Sequence, residues 1–187
     1  MKVCVCGGTN PGTDERFLGS VKEIAKLFCD NDVELVWGGN RFGVLSAFYN
    51  EYQKRKKPNT LILPKVYTDD LEHMETDKVI IVDTISQRMD AMAKLSDAIV
   101  FVPGGIGTVY EFWASVEGLR SGEYSAKLFL YNYESFFDPQ IEFFNFINKH
   151  GFTKTGVGGS PYKIDPEKLF TVVTNPRELM NHVSYDC

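Results

Sequence analysis

Several features that mark particular classes of protein are scarce in this sequence of 187 residues. No apolar run approaches the roughly 20 residues that a membrane-spanning helix needs. The N-terminal segment Met1–Cys6 is too short for the apolar region of a signal peptide. The 4 cysteines include no CxxC pair, so we expect no metal site and a reduced, buried role for Cys4, Cys6 and Cys29. These absences predict a cytoplasmic protein that binds no membrane.

Positively charged residues are also fewer than negatively charged ones. The chain has 20 Lys and Arg residues against 25 Asp and Glu residues, which gives a net charge of −5. This balance argues against a protein that binds nucleic acid. The dense basic run Lys54–Lys57 is interpreted as the solvated end of a helix. A small anionic ligand stays compatible, because backbone amides can bind an anion inside an acidic protein.

Short apolar segments alternate with segments of helical periodicity along the whole chain. The predicted strands are Lys2–Cys6, Glu34–Trp37, Thr60–Leu63, Val79–Val82, Ala98–Val102, Lys127–Tyr131 and Phe170–Val173. The predicted helices are Asp14–Asp30, Phe42–Lys57, Ile85–Leu95, Val109–Leu119, Phe136–His150 and one that starts near Pro176. This alternation predicts a Rossmann-like α/β fold, a doubly wound sheet of mostly parallel strands with helices on both faces. We expect a single domain over residues 1–187, with a glycine-rich loop at 153–166.

Three of the predicted strands end in glycine-rich turns. They are Gly7-Gly8, then Gly38-Gly39 followed by Asn40, and finally Gly104–Thr108. In a parallel sheet the carboxyl ends of the strands meet at one edge, and ligands bind there, where the strand order reverses. We therefore expect these three loops to line one binding site.

The third turn lies between a buried strand and a helix. Its candidate phosphate-binding residues are Gly104, Gly105, Ile106, Gly107 and Thr108. Glycine lets the backbone approach a ligand closely, and the free amides at a helix start favour an anion. The spacing GGxGT matches neither the dinucleotide fingerprint GxGxxG nor the P-loop. A tight turn that needs glycine for backbone reasons alone is the alternative.

Two charged residues are the candidate catalytic groups. Glu111 lies three residues after Thr108, which places its carboxylate close to the predicted anion site. A carboxylate is a poor choice for binding phosphate, so its presence there points to chemistry, although an acid near a helix N-terminus is also common. Arg88 lies in the helix before the central strand and is either a site residue or a solvated arginine.

These residues resemble those of a known family, the LONELY GUY (LOG) cytokinin riboside 5′-monophosphate phosphoribohydrolases, long labelled as lysine decarboxylases. The family pattern PGGxGTxxE is matched by Pro103, Gly104, Gly105, Gly107, Thr108 and Glu111. The upstream pattern RKxxM is matched by Arg88 and Met92. The chain departs from the family at Met89, Tyr110 and Asn40.

The resemblance implies hydrolysis of the N-glycosidic bond of a nucleoside 5′-monophosphate, either a cytokinin riboside monophosphate or an AMP-like one. The products are the free base and ribose 5-phosphate. Glu111 and Arg88 would be catalytic, the 104–108 amides would bind the phosphate, and neither a metal nor an organic cofactor is required.

The family resemblance also implies a homodimer, whose contact lies near the helix after the glycine loop. Phe112, Trp113 and Val116 fit either a core face or such an interface.

Two other functions are weighed against hydrolysis. A pyridoxal phosphate decarboxylase needs a Schiff-base lysine beside the phosphate site, and residues 103–111 contain none. A non-catalytic nucleotide or cofactor carrier with the same fold is the main alternative, and the presence of Glu111 and Arg88 argues against it.

Overall fold

The computed structural model describes residues 1–153 and 168–186. Within these ranges the strands are β1 (Lys2–Cys6), β2 (Glu34–Trp37), β3 (Asn59–Pro64), β4 (Lys78–Val82), β5 (Ala98–Phe101), β6 (Lys127–Tyr131) and β7 (Thr171–Val173). The α-helices are α1 (Glu15–Asp30), α2 (Ser46–Arg55), α3 (Ile85–Lys94), α4 (Ile106–Ser121), α5 (Asp138–Lys149) and α6 (Pro176–Asp186). Two 3₁₀ segments cover Lys65–His73 and Tyr133–Ser135.

The seven strands form one parallel sheet in the order β4-β3-β2-β1-β5-β6-β7. On one side of β1, Val5 is paired with Trp37 of β2, and on the other side Cys6 is paired with Phe101 of β5. The chain builds outward from β1 to β4 and then returns to add β5 on the opposite side. The strand order therefore reverses between β1 and β5, which confirms the predicted doubly wound sheet and places its ligand crevice there.

Helices cover both faces of the sheet. On one face, residues of α1, α2 and α6 such as Phe28, Phe48 and Leu179 pack against alternate residues of the strands. On the other face, residues of α3, α4 and α5 such as Met92 and Phe112 form a second apolar cluster. Strands at the centre of such a sheet are buried on both sides, which explains why they are apolar throughout.

The predicted elements are confirmed, with differences at their ends. Helix α2 begins at Ser46 rather than Phe42, because Gly43 has a left-handed φ of 62° that no regular helix adopts. Helix α5 begins at Asp138 rather than Phe136, because the backbone of Phe137, with φ −96° and ψ 7°, departs from helical geometry. Most of the predicted glycine-rich loop at 153–166 lies outside the described residues.

The start of α4 is the difference that matters for function. The helix begins at Ile106, three residues earlier than the apolar period indicates. The glycine loop is therefore followed at once by helical backbone. The first free amides of α4 consequently belong to the predicted phosphate-binding residues themselves.

The basic run at the end of α2 has local ion-pair partners, and Cys4, Cys6 and Cys29 are buried. In the basic run at the end of α2, Arg55 pairs with Asp30 and Glu51, and Lys57 pairs with Asp32. Cys4, Cys6 and Cys29 are free and buried, as expected. In the part of the chain that the structure describes, no helix has both the length and the apolar composition needed to cross a membrane.

The turn before α5 provides a test of backbone strain. Left-handed backbone costs a residue with a Cβ about 1 kcal/mol, and Ser135, an exposed residue with a φ of 59°, is such a residue. We expect Ser135→Gly to raise the free energy of unfolding by about 0.5–1 kcal/mol, measured by urea denaturation. Ser86→Gly, at an exposed position of α3, is the matched control and should lower stability by a similar amount. Equal losses in both variants would contradict strain at Ser135.

Candidate active site

The turns after β1 and β5 pack directly against each other. The amide of Gly8 donates a hydrogen bond to the carbonyl of Pro103 at 3.0 Å. A Cβ on Gly104 would lie 2.6 Å from the backbone nitrogen of Gly8, and one on Gly7 would lie 2.4 Å from Val102. Since real Cβ atoms do not approach so closely, Gly7 and Gly104 are required by packing. The alternative interpretation of the loop, glycine for backbone reasons, therefore holds for these positions.

Gly105 and Gly107 are different. A Cβ on either one would meet nothing within 4 Å, and neither residue has a positive φ. Packing and backbone conformation thus leave these positions free to carry a side chain. Both line the pocket described below, so their lack of a side chain keeps the first amides of α4 open to it. Such amides, at the positive end of a helix dipole, form an anion-binding site.

A pocket of about 520 Å³ lies at the reversal point of the sheet. Of the predicted site residues, its wall includes Gly7, Gly8, Gly38, Gly39, Arg88, Gly104, Gly105, Ile106, Gly107, Thr108 and Glu111. Asn40 is absent from the described lining, and its side-chain oxygen instead accepts a hydrogen bond from the amide of Phe42 at 2.7 Å. The three glycine turns therefore meet at one pocket, as their positions after parallel strands predict.

Arg88 and Glu111 form an ion pair in this pocket. The Nη2 atom of Arg88, on α3, lies 2.9 Å from Oε1 of Glu111, on α4. Their side chains are 16% and 10% exposed, so Arg88 is not a solvated surface arginine. Its Nε atom is buried and has no acceptor among the described residues. A buried donor without an acceptor costs about 1–3 kcal/mol, so this geometry is not explained by stability alone.

The pKa of Glu111 is raised, and burial is the main cause. The positive charge of Arg88 and a hydrogen bond from the thiol of Cys6 act in the opposite direction and lower it. The pKa of the Cys6 thiol is well above its ordinary value, because its contact with Cys4 and its burial both disfavour the thiolate. Cys6 therefore stays a neutral thiol beside Glu111.

The pocket has little charge beyond this pair. Among the described residues in its wall, Arg88 and Glu111 are the charged ones. No cluster of three or more His, Cys, Asp or Glu side chains suited to a metal ion occurs in residues 1–153 and 168–186. An anion in this pocket would therefore depend on backbone amides, the α4 dipole and Arg88.

Some pocket residues carry no motif that the sequence could reveal. Cys6 looks like any buried strand residue, and Phe17 and Phe136 look like ordinary aromatics of two predicted helices. Of the departures from the family pattern, Met89 is buried in the core, whereas Tyr110 is 43% exposed on α4. Neither residue lies in the described pocket wall.

The parallel sheet and its pocket at the β1–β5 reversal define a Rossmann-like α/β protein with a ligand site at the switch point. The family model described as "Possible lysine decarboxylase" matches residues 38–183, well over half of the chain. The chain belongs to this family, which includes the LOG proteins.

Named relatives are distant. The chain is 23% identical to the cytokinin riboside 5′-monophosphate phosphoribohydrolase LOG2 of Arabidopsis thaliana, over 82% of this chain and 73% of that protein. It is 24% identical to the cytokinin riboside 5′-monophosphate phosphoribohydrolase of Rhodococcoides fascians, over 80% of this chain and 77% of that protein. The molybdenum cofactor carrier protein of Chlamydomonas reinhardtii has the same fold, with a TM-score of 0.67 at 19% identity over 98% of this chain and 94% of that one.

The two kinds of glycine in the loop predict opposite phenotypes. Gly107→Ala should leave the melting temperature unchanged or raise it, since alanine favours a helix by up to about 1 kcal/mol over glycine. Its methyl group would enter the pocket and should weaken binding of ribose 5-phosphate, measured by calorimetry, at least about tenfold.

Gly104→Ala is the matched comparison and should lower the melting temperature, because its methyl group would collide with the backbone of Gly8. Normal ribose 5-phosphate affinity in Gly107→Ala would contradict an anion site at the start of α4.

Proposed function

We propose that the protein hydrolyses the N-glycosidic bond of a nucleoside 5′-monophosphate, a cytokinin riboside monophosphate or an AMP-like one, to the free base and ribose 5-phosphate. The observation that carries this proposal is the Arg88–Glu111 ion pair in the wall of the pocket that the open amides of α4 also line. Relatives named as phosphoribohydrolases support the reaction class.

The phosphate end of the substrate would be held by the helix. The amides of Ile106, Gly107 and Thr108 are the first of α4. Gly105 before them has no side chain that could accept a hydrogen bond from these amides. Because the phosphate does not react, its binding free energy can position the ribose against the catalytic pair.

Glu111 would act on the ribose. As the C1′–N bond breaks, its electron pair leaves with the base and positive charge develops on the ribose, which a nearby carboxylate stabilises. A water oxygen then bonds to C1′ and Glu111 takes a proton from that water. This proton passes on to the departing base, so the base leaves protonated and Glu111 returns to its ionised form. Burial favours this role, since a raised pKa makes Glu111 a better proton acceptor than an exposed carboxylate.

Arg88 would keep Glu111 ionised and oriented. Its charge lowers the pKa of Glu111 against the effect of burial, and its hydrogen bond fixes one carboxylate oxygen. The carboxylate held in this way would then face water or a ribose hydroxyl. A charge-assisted hydrogen bond of this kind is stronger and more directional than a neutral one.

A non-catalytic carrier of a nucleotide or cofactor is the second candidate. The molybdenum cofactor carrier of Chlamydomonas shares the fold, although at 19% identity it supports nothing finer. A carrier has no need for a buried carboxylate beside its phosphate site, which disfavours this candidate here.

The homodimer stays a prediction. Phe112 and Val116 lie in the core, so they are unavailable for such an interface, and Trp113 packs against Phe143 and Phe144 of the same chain.

Removal of the carboxylate tests the reaction. Base release would be measured from AMP, CMP, GMP, UMP, dAMP and isopentenyl-AMP, with the unphosphorylated nucleosides as controls. We expect Glu111→Gln to lower kcat at least about a thousandfold while ribose 5-phosphate still binds. Near-normal turnover in this variant would rule out Glu111 as the catalytic carboxylate. Nucleotide binding without base release by the native protein would favour the carrier.

The pH profile tests the partnership of Arg88 and Glu111. Because the ionised carboxylate is the active form and its pKa is raised, kcat/KM should fall on the acid side above the ordinary pKa of a glutamate. Arg88→Gln removes a charge that lowers this pKa, so the acid limb should move to higher pH, and kcat/KM at neutral pH should fall.

Arg120→Gln is the matched control, since it removes the same charge from the far end of α4, where Arg120 pairs with Glu117. An acid limb that does not move in Arg88→Gln would show that Arg88 does not act on the ionisation of Glu111.

A further inference from the structure

The pocket has two ends of different chemistry. At one end Arg88 packs against the turn after β2, where its Nη1 atom would lie 3.3 Å from a Cβ on Gly38. At the other end lies Phe136, which follows β6. The strands β1 and β5 lie between β2 and β6, so three strand spacings place the two ends roughly 14 Å apart. The open amides of α4 follow β5 and therefore lie between them.

The β6 end is aromatic and uncharged. Phe136 and Phe17, from the first turn of α1, meet edge to face with ring centroids 5.4 Å apart at 74°. The wall residue Thr13, just before α1, is polar and neutral. This set suits a neutral planar ring with polar edges rather than a second anion.

The turn between β6 and α5, which carries Phe136, is fixed by side-chain hydrogen bonds and an ion pair. The side-chain oxygen of Asn132 accepts a hydrogen bond from the amide of Phe137 at 2.7 Å, and its Nδ2 donates to Asp138 at 2.7 Å. Glu134 forms an ion pair of 3.2 Å with Arg16 of α1, which ties the turn to the helix that carries Phe17. Left-handed backbone before Phe136 adds strain, which proteins retain mainly at functional positions.

A nucleoside monophosphate leaves this end unfilled. If its phosphate lies on the α4 amides and its C1′ atom lies at Glu111, the rest of the ligand runs along the Arg88 side, toward Gly38 and β2. The wall of Phe17 and Phe136 then stands on the opposite side of the phosphate. It faces whatever group is attached to the phosphate.

We propose that the wall of Phe17 and Phe136 binds a planar ring esterified to the 5′-phosphate, so that the pocket accepts nucleoside 5′-phosphodiesters as well as monophosphates. This inference rests on the proposed function, which sets the direction of the nucleotide. A diester keeps two free phosphate oxygens for the amides of α4, and its second substituent points away from the ribose. The ring would then stack on Phe136 or Phe17 in the uncharged end of the pocket.

Two esters of AMP isolate the contribution of the ring, because its phenyl and methyl esters have the same charge. Their affinities would be measured by calorimetry on Glu111→Gln protein, in which turnover is blocked. We expect the phenyl ester to bind roughly three- to tenfold more tightly than the methyl ester, as an aromatic contact implies. Replacing Phe17 and Phe136 together by alanine should remove this preference and leave the affinity for AMP unchanged.

Phe146→Ala provides the control, since Phe146 is an exposed aromatic of α5 outside the described pocket wall, and this variant should keep the preference. Equal affinities of the phenyl and methyl esters for the Glu111→Gln protein, with Phe17 and Phe136 in place, would overturn the proposal. So would a double variant that binds AMP more weakly but ribose 5-phosphate normally, because the base itself would then occupy the wall. If the phenyl ester is preferred but the native protein releases no base from any nucleotide, the aromatic subsite would be supported and the proposed hydrolysis rejected.

Discussion

The contact between the turns after β1 and β5 is the constraint on which the site depends. The hydrogen bond from Gly8 to Pro103 and the lack of a side chain on Gly104 bring two backbones together at the point where the strand order reverses. This contact fixes where α4 begins, and the start of α4 fixes the direction of its free amides. It also sets Glu111, one and a half turns further on, above the end of β1, where Cys6 and Arg88 reach its carboxylate. A bulkier turn would displace the first amides of α4 and the Arg88–Glu111 ion pair together.

The glycines of this site divide into two groups with different causes. At Gly7 and Gly104 a side chain would collide with the protein itself, so the fold requires glycine. At Gly105 and Gly107 the space is open, and a side chain would harm only a ligand. A sequence motif cannot separate these causes, because it shows the same letter at each position. The distinction needs coordinates, and it is the stronger argument that this loop serves a ligand.

The fold was largely predictable because the parallel strands here are short, apolar and separated by helices of clear period. The two residues of the ion pair were also predictable as site candidates, since Glu111 follows the glycine loop at a fixed spacing and Arg88 lies in the preceding helix. The element ends were less so, because local backbone conformations such as those of Gly43 and Phe137 leave no periodic signal.

The sequence was least informative about side chains that reach the site from elsewhere. Cys6 reads as core, and the approach of Phe17 to Phe136 joins residues more than a hundred positions apart through the packing of α1 against the turn after β6. Asn40 is the opposite case. Its position after two glycines suggested the pocket, but its side chain holds the turn at Phe42 instead.

The charge balance of the pocket explains why an arginine stands beside the carboxylate. Burial already raises the pKa of Glu111, and a bound phosphate nearby would raise it further, because a second negative charge disfavours ionisation. Without compensation, binding of the proposed substrate would itself favour protonation of the group that the proposed reaction needs. A guanidinium stays charged at every physiological pH, whereas a buried lysine can lose its proton. Arg88 can therefore hold Glu111 in its ionised form while the anion is bound, and this role accounts for keeping a buried ion pair that stability alone does not favour.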